Sequence, residues 1–74
     1  MATKQGSSAT MKNQIRFYRK QKQLSQEELA KRCGVSRQTV NAIENEKYDP
    51  TLALAFRLAK ALEITVDQLF FPSA

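Results

Sequence analysis

The amino-acid sequence predicts an all-α protein, a compact bundle of five helices. Apolar residues recur three and four positions apart through most of the chain, the period of helices with one buried face. No stretch alternates between apolar and polar residues as a half-buried strand would. A serine or threonine stands just ahead of four periodic segments, at Ser25, Ser36, Thr51 and Thr65, where such residues cap helices. With 42% apolar residues in 74, the chain can form one domain with one core.

The first helix is expected over Lys12–Lys22, with Ile15 and Tyr18 on its buried edge. It carries five positive charges with no acidic residue between them, at Lys12, Arg16, Arg19, Lys20 and Lys22. The whole chain has 12 basic and 7 acidic residues, a formal charge of +5, and this helix with residues 1–10 holds the excess. Most of these basic residues, taken one at a time, are explained as part of a solvated helix face. Positive charge concentrated on one helix nevertheless creates a local field that attracts phosphate.

The clearest local pattern lies in residues 25–45, where two short helices flank a corner. Ser25 and Glu28 form a capping box at the start of the second helix. Gly34 follows that helix, and glycine takes the left-handed conformation of a helix end at little cost. Ser36 then caps the third helix.

The second and third helices, expected over Gln26–Cys33 and Arg37–Asn45, have matching apolar faces. Ala30 is small enough to let two helices cross at a steep angle. The facing side chains are Leu29, Cys33, Val40 and Ile43. This combination is typical of a DNA-reading helix-turn-helix, and an ordinary corner in another helical bundle is the alternative. We therefore expect a helix-turn-helix domain over 11–74, after a flexible leader over 1–10 that either belongs to the natural chain or precedes a natural start at Met11.

Two further helices are expected after a loop that ends at Pro50, which disfavours helix at the residue before it. Thr51 caps the fourth helix, and Thr65 with Gln68 forms a capping box for a short fifth helix. The fourth helix carries the apolar residues Leu52, Leu54, Ala55, Leu58, Ala59 and Leu62. In the apolar C-terminal segment we expect Leu69 to close the core, whereas Phe70 and Phe71 either fold back on the domain or serve a subunit interface.

The composition excludes several classes of function. The chain has no histidine and one cysteine, so a single chain cannot build a zinc site, a disulfide framework or histidine-based catalysis. Cys33 is expected to be a small buried residue rather than a reactive thiol. No apolar run approaches the 18 or so residues of a membrane span, and no signal peptide is evident. We expect a soluble cytoplasmic protein that is not an enzyme and has no cofactor or small-molecule ligand.

The outer face of the third helix suits the DNA major groove. A helical wheel at about 100° per residue places Gln38 opposite the buried face, with Asn41, Ala42 and Asn45 beside it and Arg37 on the shoulder. Glutamine and asparagine pair with adenine, and arginine pairs with guanine. We expect Arg37 and Gln38 to contact bases, with Ser36 as a third candidate, although polar outer faces are common to all surface helices.

Other residues are candidates for phosphate contact or for structural support. Gln26 opens the second helix, where backbone amides favour an anion, and Lys47 and Tyr48 follow the third helix. Glu44 falls near the buried side of its helix, where an unpaired carboxylate is costly. We expect Arg19 to form a bidentate ion pair with it, an exposed Glu44 being the alternative.

From Met11 to Phe71 the chain resembles the small Cro-like repressors of the XRE helix-turn-helix family, which have a lambda-repressor-like DNA-binding fold. The resemblance rests on Gln26, Leu29, Ala30, Gly34, Val40, Ile43 and Glu44, and on the loop Lys47-Tyr48-Asp49-Pro50. It implies phosphate contacts near Gln26, Asn45 and Lys47 and a buried ion pair between Arg19 and Glu44. It also implies base contacts from Ser36, Arg37, Gln38 and Asn41.

The resemblance further implies a bacterial or phage-borne transcription factor that binds a near-palindromic operator as a homodimer. The two recognition helices would then lie about 34 Å apart, one turn of DNA. An antitoxin-like protein-interaction module on the same fold is the alternative, although no separate toxin-binding tail is visible. A small enzyme is a distant third hypothesis, since no nucleophile and base form a pair.

Two residues depart from the family pattern. Glu46 and Glu63 stand where relatives often have glycine. Either the helices end differently here, or each glutamate bears strain on the order of 1 kcal/mol. Glu46 also adds negative charge beside the loop expected to approach phosphate.

Overall fold

The computed structural model describes residues 11–47 and 49–72, and within them it contains five helices and a two-stranded sheet. The elements in chain order are β1 (Met11–Asn13), α1 (Ile15–Gln21), α2 (Gln26–Cys33), α3 (Arg37–Glu44), α4 (Leu52–Leu62), α5 (Val66–Leu69) and β2 (Phe70–Pro72). The predicted helical class and the five helices are confirmed. The leader over 1–10, Tyr48 and the last two residues of the predicted domain lie outside the described residues.

The two-stranded sheet corrects the expectation of a chain without strands. β1 and β2 pair antiparallel, with Lys12 opposite Phe71 and Asn13 opposite Phe70. Lys12 therefore lies in a strand, and the first helix begins at Ile15 rather than at Lys12. The residues up to Asn13 belong to the strand, and the Asn13 side-chain oxygen accepts the backbone N–H of Ile15 at 3.1 Å, whereas the N-cap residue Gln14 makes no side-chain cap. Strands of three residues are too short to show alternation.

The expected caps are present at the other helix starts. Ser25 and Glu28 form a reciprocal capping box, as do Thr65 and Gln68. The side chains of Ser36 and Thr51 each accept the backbone N–H three residues ahead. Each cap satisfies an N–H that would have no partner within its helix.

One hydrophobic core lies between the helices, and both ends of the described chain cover it. Phe70 packs inside with an exposed fraction of 6%, which matches the alternative in which it folds back on the domain. Phe71 remains 36% exposed. The buried apolar residues are Ile15, Leu24, Leu29, Ala30, Cys33, Val40, Ile43, Leu54, Ala55, Leu58, Ala59, Leu62, Leu69 and Phe70.

Three residues other than glycine adopt the left-handed conformation at chain reversals. They are Gln23, Glu46 and Glu63, with φ of 58°, 59° and 62°. After the third and fourth helices, Glu46 and Glu63 therefore adopt the conformation that a glycine usually takes there. Of the two alternatives expected from the sequence, the structure shows the one in which each glutamate bears strain. Each of these conformations costs roughly 1–2 kcal/mol relative to a right-handed residue.

Candidate nucleic-acid interface

The corner between α2 and α3 fixes the orientation of the third helix. Gly34 is left-handed with φ of 72°, and the backbone N–H of Val35 donates to the carbonyl of Ala30 at 3.0 Å. Ala30 is 2% exposed and packs in the core with Val40 and Ile43. Since these three side chains fix the inner faces of both helices, the opposite face of α3 is held outward.

The first turn of α3 presents two uncommitted side chains. Arg37 and Gln38 are exposed, and neither forms a side-chain hydrogen bond with any residue in 11–47 or 49–72. Ser36, the third candidate, is the N-cap, and its hydroxyl contacts the Thr39 hydroxyl at 3.0 Å as well as the Thr39 backbone N–H. Arg37 and Gln38 are therefore free to meet a ligand, whereas Ser36 is already used by the cap.

Asn41, the fourth candidate for base contact, is exposed but not free. Its side-chain Nδ2 donates to Gln26 Oε1 at 3.3 Å, and its Oδ1 accepts from Asn45 Nδ2 at 3.2 Å. Ala42, which the helical wheel placed on the outer strip, is half-buried. The outer strip of α3 is thus narrower than the wheel indicated.

A buried ion pair joins α1 to the end of α3. Arg19 Nε lies 2.6 Å from Glu44 Oε2, and Arg19 Nη2 lies 3.3 Å from Oε1. The Glu44 side chain is fully buried and that of Arg19 is 11% exposed. Arg19 Nη1 also donates to the carbonyl of Leu24 at 2.9 Å. The pair has the bidentate geometry that the sequence argument required, which is the strong form of this interaction.

The surroundings of Glu44 determine its protonation. Burial by itself raises the pKa of the carboxyl group. Hydrogen bonds from Arg19 and Gln26, and the positive charges of Arg19 and Arg16, outweigh that effect and leave the pKa below its ordinary value. Glu44 is therefore ionised at neutral pH and accepts hydrogen bonds without donating any.

Two residues that the sequence did not single out as site residues also hold the C-terminal end of α3. Arg16 Nε lies 3.4 Å from Glu44 Oε1, and its Nη2 donates to Asn45 Oδ1 at 3.2 Å. Asn13 Nδ2 donates to the carbonyl of Ile43 at 2.8 Å. Only the charge of Arg16 was a signal in the sequence, and it did not distinguish Arg16 from the neighbouring cations.

The candidate phosphate-contacting residues surround this network. Gln26 is half-buried at the start of α2 and donates Nε2 to Glu44 Oε1 at 3.0 Å. Asn45 and Lys47 are exposed after α3, and Tyr48 lies outside the described residues. Glu46 stands between Asn45 and Lys47, exposed and left-handed.

Cys33 matches its structural interpretation. It is 1% exposed in the core, and burial raises the pKa of its thiol above the ordinary value, with a smaller opposing effect from the charge of Arg57. Among the described residues, no three of the His, Cys, Asp and Glu side chains cluster as metal ligands. The same residues include no helix of the length and hydrophobicity that crossing a membrane requires.

An outward short helix, a glycine corner and a support helix define a DNA-reading helix-turn-helix protein. The sequence profile of the Helix-turn-helix family matches residues 15–69, and the chain belongs to this family of DNA-binding transcriptional regulators, of the XRE type. Its members are regulators rather than enzymes.

Comparisons with known proteins also identify similar proteins that are helix-turn-helix transcriptional regulators. An uncharacterised HTH-type transcriptional regulator from Methanocaldococcus jannaschii is 52% identical over 60 residues, 81% of this chain and 91% of that protein. The structure of SinR, a master regulator for biofilm formation, in complex with DNA superposes with a TM-score of 0.67 at 30% identity, covering 72% of this chain and 86% of that one. The antitoxin HigA1 of Mycobacterium tuberculosis is 51% identical over 45 residues, 61% of this chain and 30% of that protein. Relatives thus occur in archaea as well as in bacteria.

Proposed function

We propose that this regulator is a repressor that binds a near-palindromic operator as a homodimer, with α3 in the major groove. The observation that carries the proposal is the first turn of α3, where Arg37 and Gln38 are exposed and uncommitted on a helix with a buried opposite face. A repressor can act simply by occupying its operator and blocking the polymerase, and a domain of this size is large enough to do so. It acts where the chromosome is, in the cytoplasm.

Base contacts are assigned to the outer face of α3. Gln38 pairs with adenine and Arg37 with guanine, the two-point pairings that these side chains favour. Asn41 and Ser36 complete the set, Asn41 through the parts of its amide that its neighbours leave free. The exposed fraction and the hydrogen bonding of these side chains support this order of importance.

Phosphate contacts are assigned to the residues around the Glu44 network. Gln26, Asn45, Lys47 and Tyr48 would hold the DNA backbone on either side of α3, which fixes the register of the helix without reading sequence. The cations of α1 add to the field that attracts the duplex.

The homodimer is supported by an apolar surface that the described part of the chain leaves uncovered. Leu52 and Phe56, four residues apart on α4, are 71% and 57% exposed. A groove of about 330 Å³ adjoins Leu52 and is lined also by Met11, Asp49, Pro50, Ala55, Val66 and Phe70. A near-palindromic operator requires a two-fold symmetric protein, so we assign a second copy of this chain to this surface.

Selection of bound duplexes from a random pool tests the function. A two-fold symmetric consensus is expected, with affinity that falls steeply as salt rises because released counterions drive binding. Gln38→Ala should relax preference at one base pair by roughly 1–3 kcal/mol. The matched control is Gln21→Ala, an exposed glutamine on α1, which should leave the consensus unchanged. If Gln38→Ala leaves every preference intact, the face assignment is wrong.

The antitoxin-like interaction module is the second candidate, favoured by the similarity to HigA1. It predicts tight binding to a protein partner without DNA and no enrichment of any duplex at low salt. The same selection experiment therefore distinguishes the two functions.

A further inference from the structure

Five polar side chains, four on α1, α2 and α3 and one on the residue that follows α3, form a closed ring of hydrogen bonds around the end of α3. Gln26 donates to Glu44, Asn41 donates to Gln26, and Asn45 donates to Asn41, at 3.0, 3.3 and 3.2 Å. Arg16 closes the ring because it donates to Asn45 at 3.2 Å and to Glu44 at 3.4 Å. No buried side-chain nitrogen or oxygen within 11–47 and 49–72 lacks a hydrogen-bond partner.

The two charged members give the ring a direction. An ionised carboxylate only accepts hydrogen bonds and a guanidinium only donates them. Glu44 therefore turns the NH₂ of Gln26 towards itself. Arg16 turns the oxygen of Asn45 towards itself, and the backbone carbonyl of Asn41, which accepts from Asn45 Nδ2 at 3.0 Å, favours the same orientation. Between these ends Asn41 must point its NH₂ at Gln26 and its oxygen at Asn45. A reversed Asn41 would place NH₂ against NH₂ and oxygen against oxygen.

We propose that Arg16 is a positioning residue for DNA reading: acting through Asn45, it holds one end of the ring while Glu44 holds the other through Gln26, and the two together fix the orientation of the Asn41 amide and so the base that Asn41 prefers. This inference rests on the proposed base contact of Asn41. After its two ring bonds, the Asn41 amide retains one N–H and one oxygen lone pair. That pattern matches adenine, which offers N7 as an acceptor and N6 as a donor, and it does not match the two acceptors of guanine.

Arg16 is suited to a test by substitution because its side chain is 55% exposed, so the fold does not depend on its burial. Arg16→Met removes the donor, and Arg16→Lys keeps a cation that only donates. Lys20→Met is the matched control, since Lys20 is an exposed cation of the same helix and lies outside the ring. Both methionine variants lose one positive charge and so lose the same kind of nonspecific attraction to DNA.

The first measurement is made on the free protein, by NMR of the side-chain NH₂ groups of Asn41 and Asn45. Arg16→Met should shift both sets of resonances and speed their exchange with water, whereas Lys20→Met should leave them in place. Unchanged resonances in Arg16→Met would overturn the ring itself, independently of any DNA result.

The second measurement is the base preference of each variant in the duplex selection. The base pair that Asn41 reads is the one whose preference Asn41→Ala relaxes. At that base pair, Arg16→Met should reduce the preference for adenine by at least about fivefold, which is the smallest discrimination expected from one bidentate side-chain–base pairing. Arg16→Lys should retain most of the preference. Lys20→Met should weaken all sites equally.

If Arg16→Met weakened binding to all sites equally, and by as much as Lys20→Met, Arg16 would contribute only nonspecific attraction to phosphate. That result would overturn the inference. No relaxed position in Asn41→Ala would overturn it as well, while leaving the function of Gln38 intact. Failure of the unaltered chain to select any duplex would instead overturn the proposed function.

Discussion

Removal of Arg19 should destabilise the fold far more than removal of an exposed cation. Arg19→Met keeps the length and apolar stem of the side chain but leaves the fully buried Glu44 carboxylate without its bidentate partner. Breaking a buried pair at one end costs about 3–5 kcal/mol. Gln26 and Arg16 still reach the carboxylate at 3.0 and 3.4 Å, so we expect the lower end, about 3 kcal/mol.

That loss is large for a chain of 74 residues, whose total stability is about 4–11 kcal/mol by size alone. Urea unfolding followed by circular dichroism measures it. With a slope near 1 kcal/mol per molar urea, the midpoint should fall by about 3 M. Lys22→Met is the control, because the Lys22–Glu63 pair is 2.8 Å long but exposed; its loss should lower the urea midpoint far less than Arg19→Met does, since exposed ion pairs contribute little to stability.

A double variant separates the value of the pair from the penalty of an orphaned charge. Arg19→Met combined with Glu44→Met removes both charges, and such replacements are often neutral or stabilising. The double variant should therefore be more stable than Arg19→Met alone. An Arg19→Met protein as stable as Lys22→Met, or a double variant less stable than either single one, would refute the account of this pair.

Three other predictions follow from the same structure. The pKa of Glu44 is lower in the folded state than its ordinary value. Its contribution to stability is therefore present above the ordinary carboxyl pKa of about 4.3 and is lost as pH falls through the folded-state pKa. Glu44→Gln should make the urea midpoint depend less on pH in this acid range, and an unchanged slope would contradict the linkage. Glu46→Gly should raise the free energy of unfolding by up to about 1 kcal/mol, because the roughly 1–2 kcal/mol of strain at a φ of 59° exceeds the roughly 0.5–1 kcal/mol that glycine costs in conformational entropy. It should also strengthen DNA binding by removing a negative charge, and a lower urea midpoint would contradict the strain. Phe56→Asp should shift sedimentation equilibrium towards monomer, whereas Phe17→Asp on α1, also exposed, should not; equal effects would argue against the α4 interface.

The starts of the second to fifth helices were predictable because a cap is decided by a few neighbouring residues. Ser25 with Glu28 and Thr65 with Gln68 are reciprocal pairs that act across three residues, so no tertiary information is needed. Gly34 was predictable for the same reason. The left-handed Glu46 and Glu63 were ambiguous, because their strain is offset by packing elsewhere in the chain.

The two-stranded sheet was not predictable from local pattern. Each strand has three residues, and Lys12 pairs with Phe71 from the other end of the domain. Continuing the first helix back to Lys12 was the locally consistent interpretation, since its charges fit a helix face. The strand pairing keeps Lys12 and Asn13 out of that helix, and the Asn13 side chain accepts the N–H of Ile15 and donates to the carbonyl of Ile43.

The ion pair could be predicted from the sequence, whereas the hydrogen-bonded ring could not. Glu44 needed a cation because the wheel placed it on the buried side of α3, and this requirement pointed to Arg19. Arg16 lies about 100° from Ile15 on its own helix, a position that gives no reason for a partner. Its role appears only when α1 is docked beside the end of α3 and the contacts to Asn45 and Glu44 are measured.

The two halves of α3 should therefore contribute to recognition in different ways. In the proposed complex Arg37 and Gln38 would break no side-chain hydrogen bonds to residues in 11–47 or 49–72, but each must lose side-chain freedom, up to about 2 kcal/mol for a long side chain. Asn41 and Asn45 are already ordered by the ring, so they lose less freedom and tolerate fewer orientations. Substitutions in the first turn should consequently change which base is preferred with little effect on stability. Substitutions in the last turn should change preference and stability together, because the same hydrogen bonds serve both.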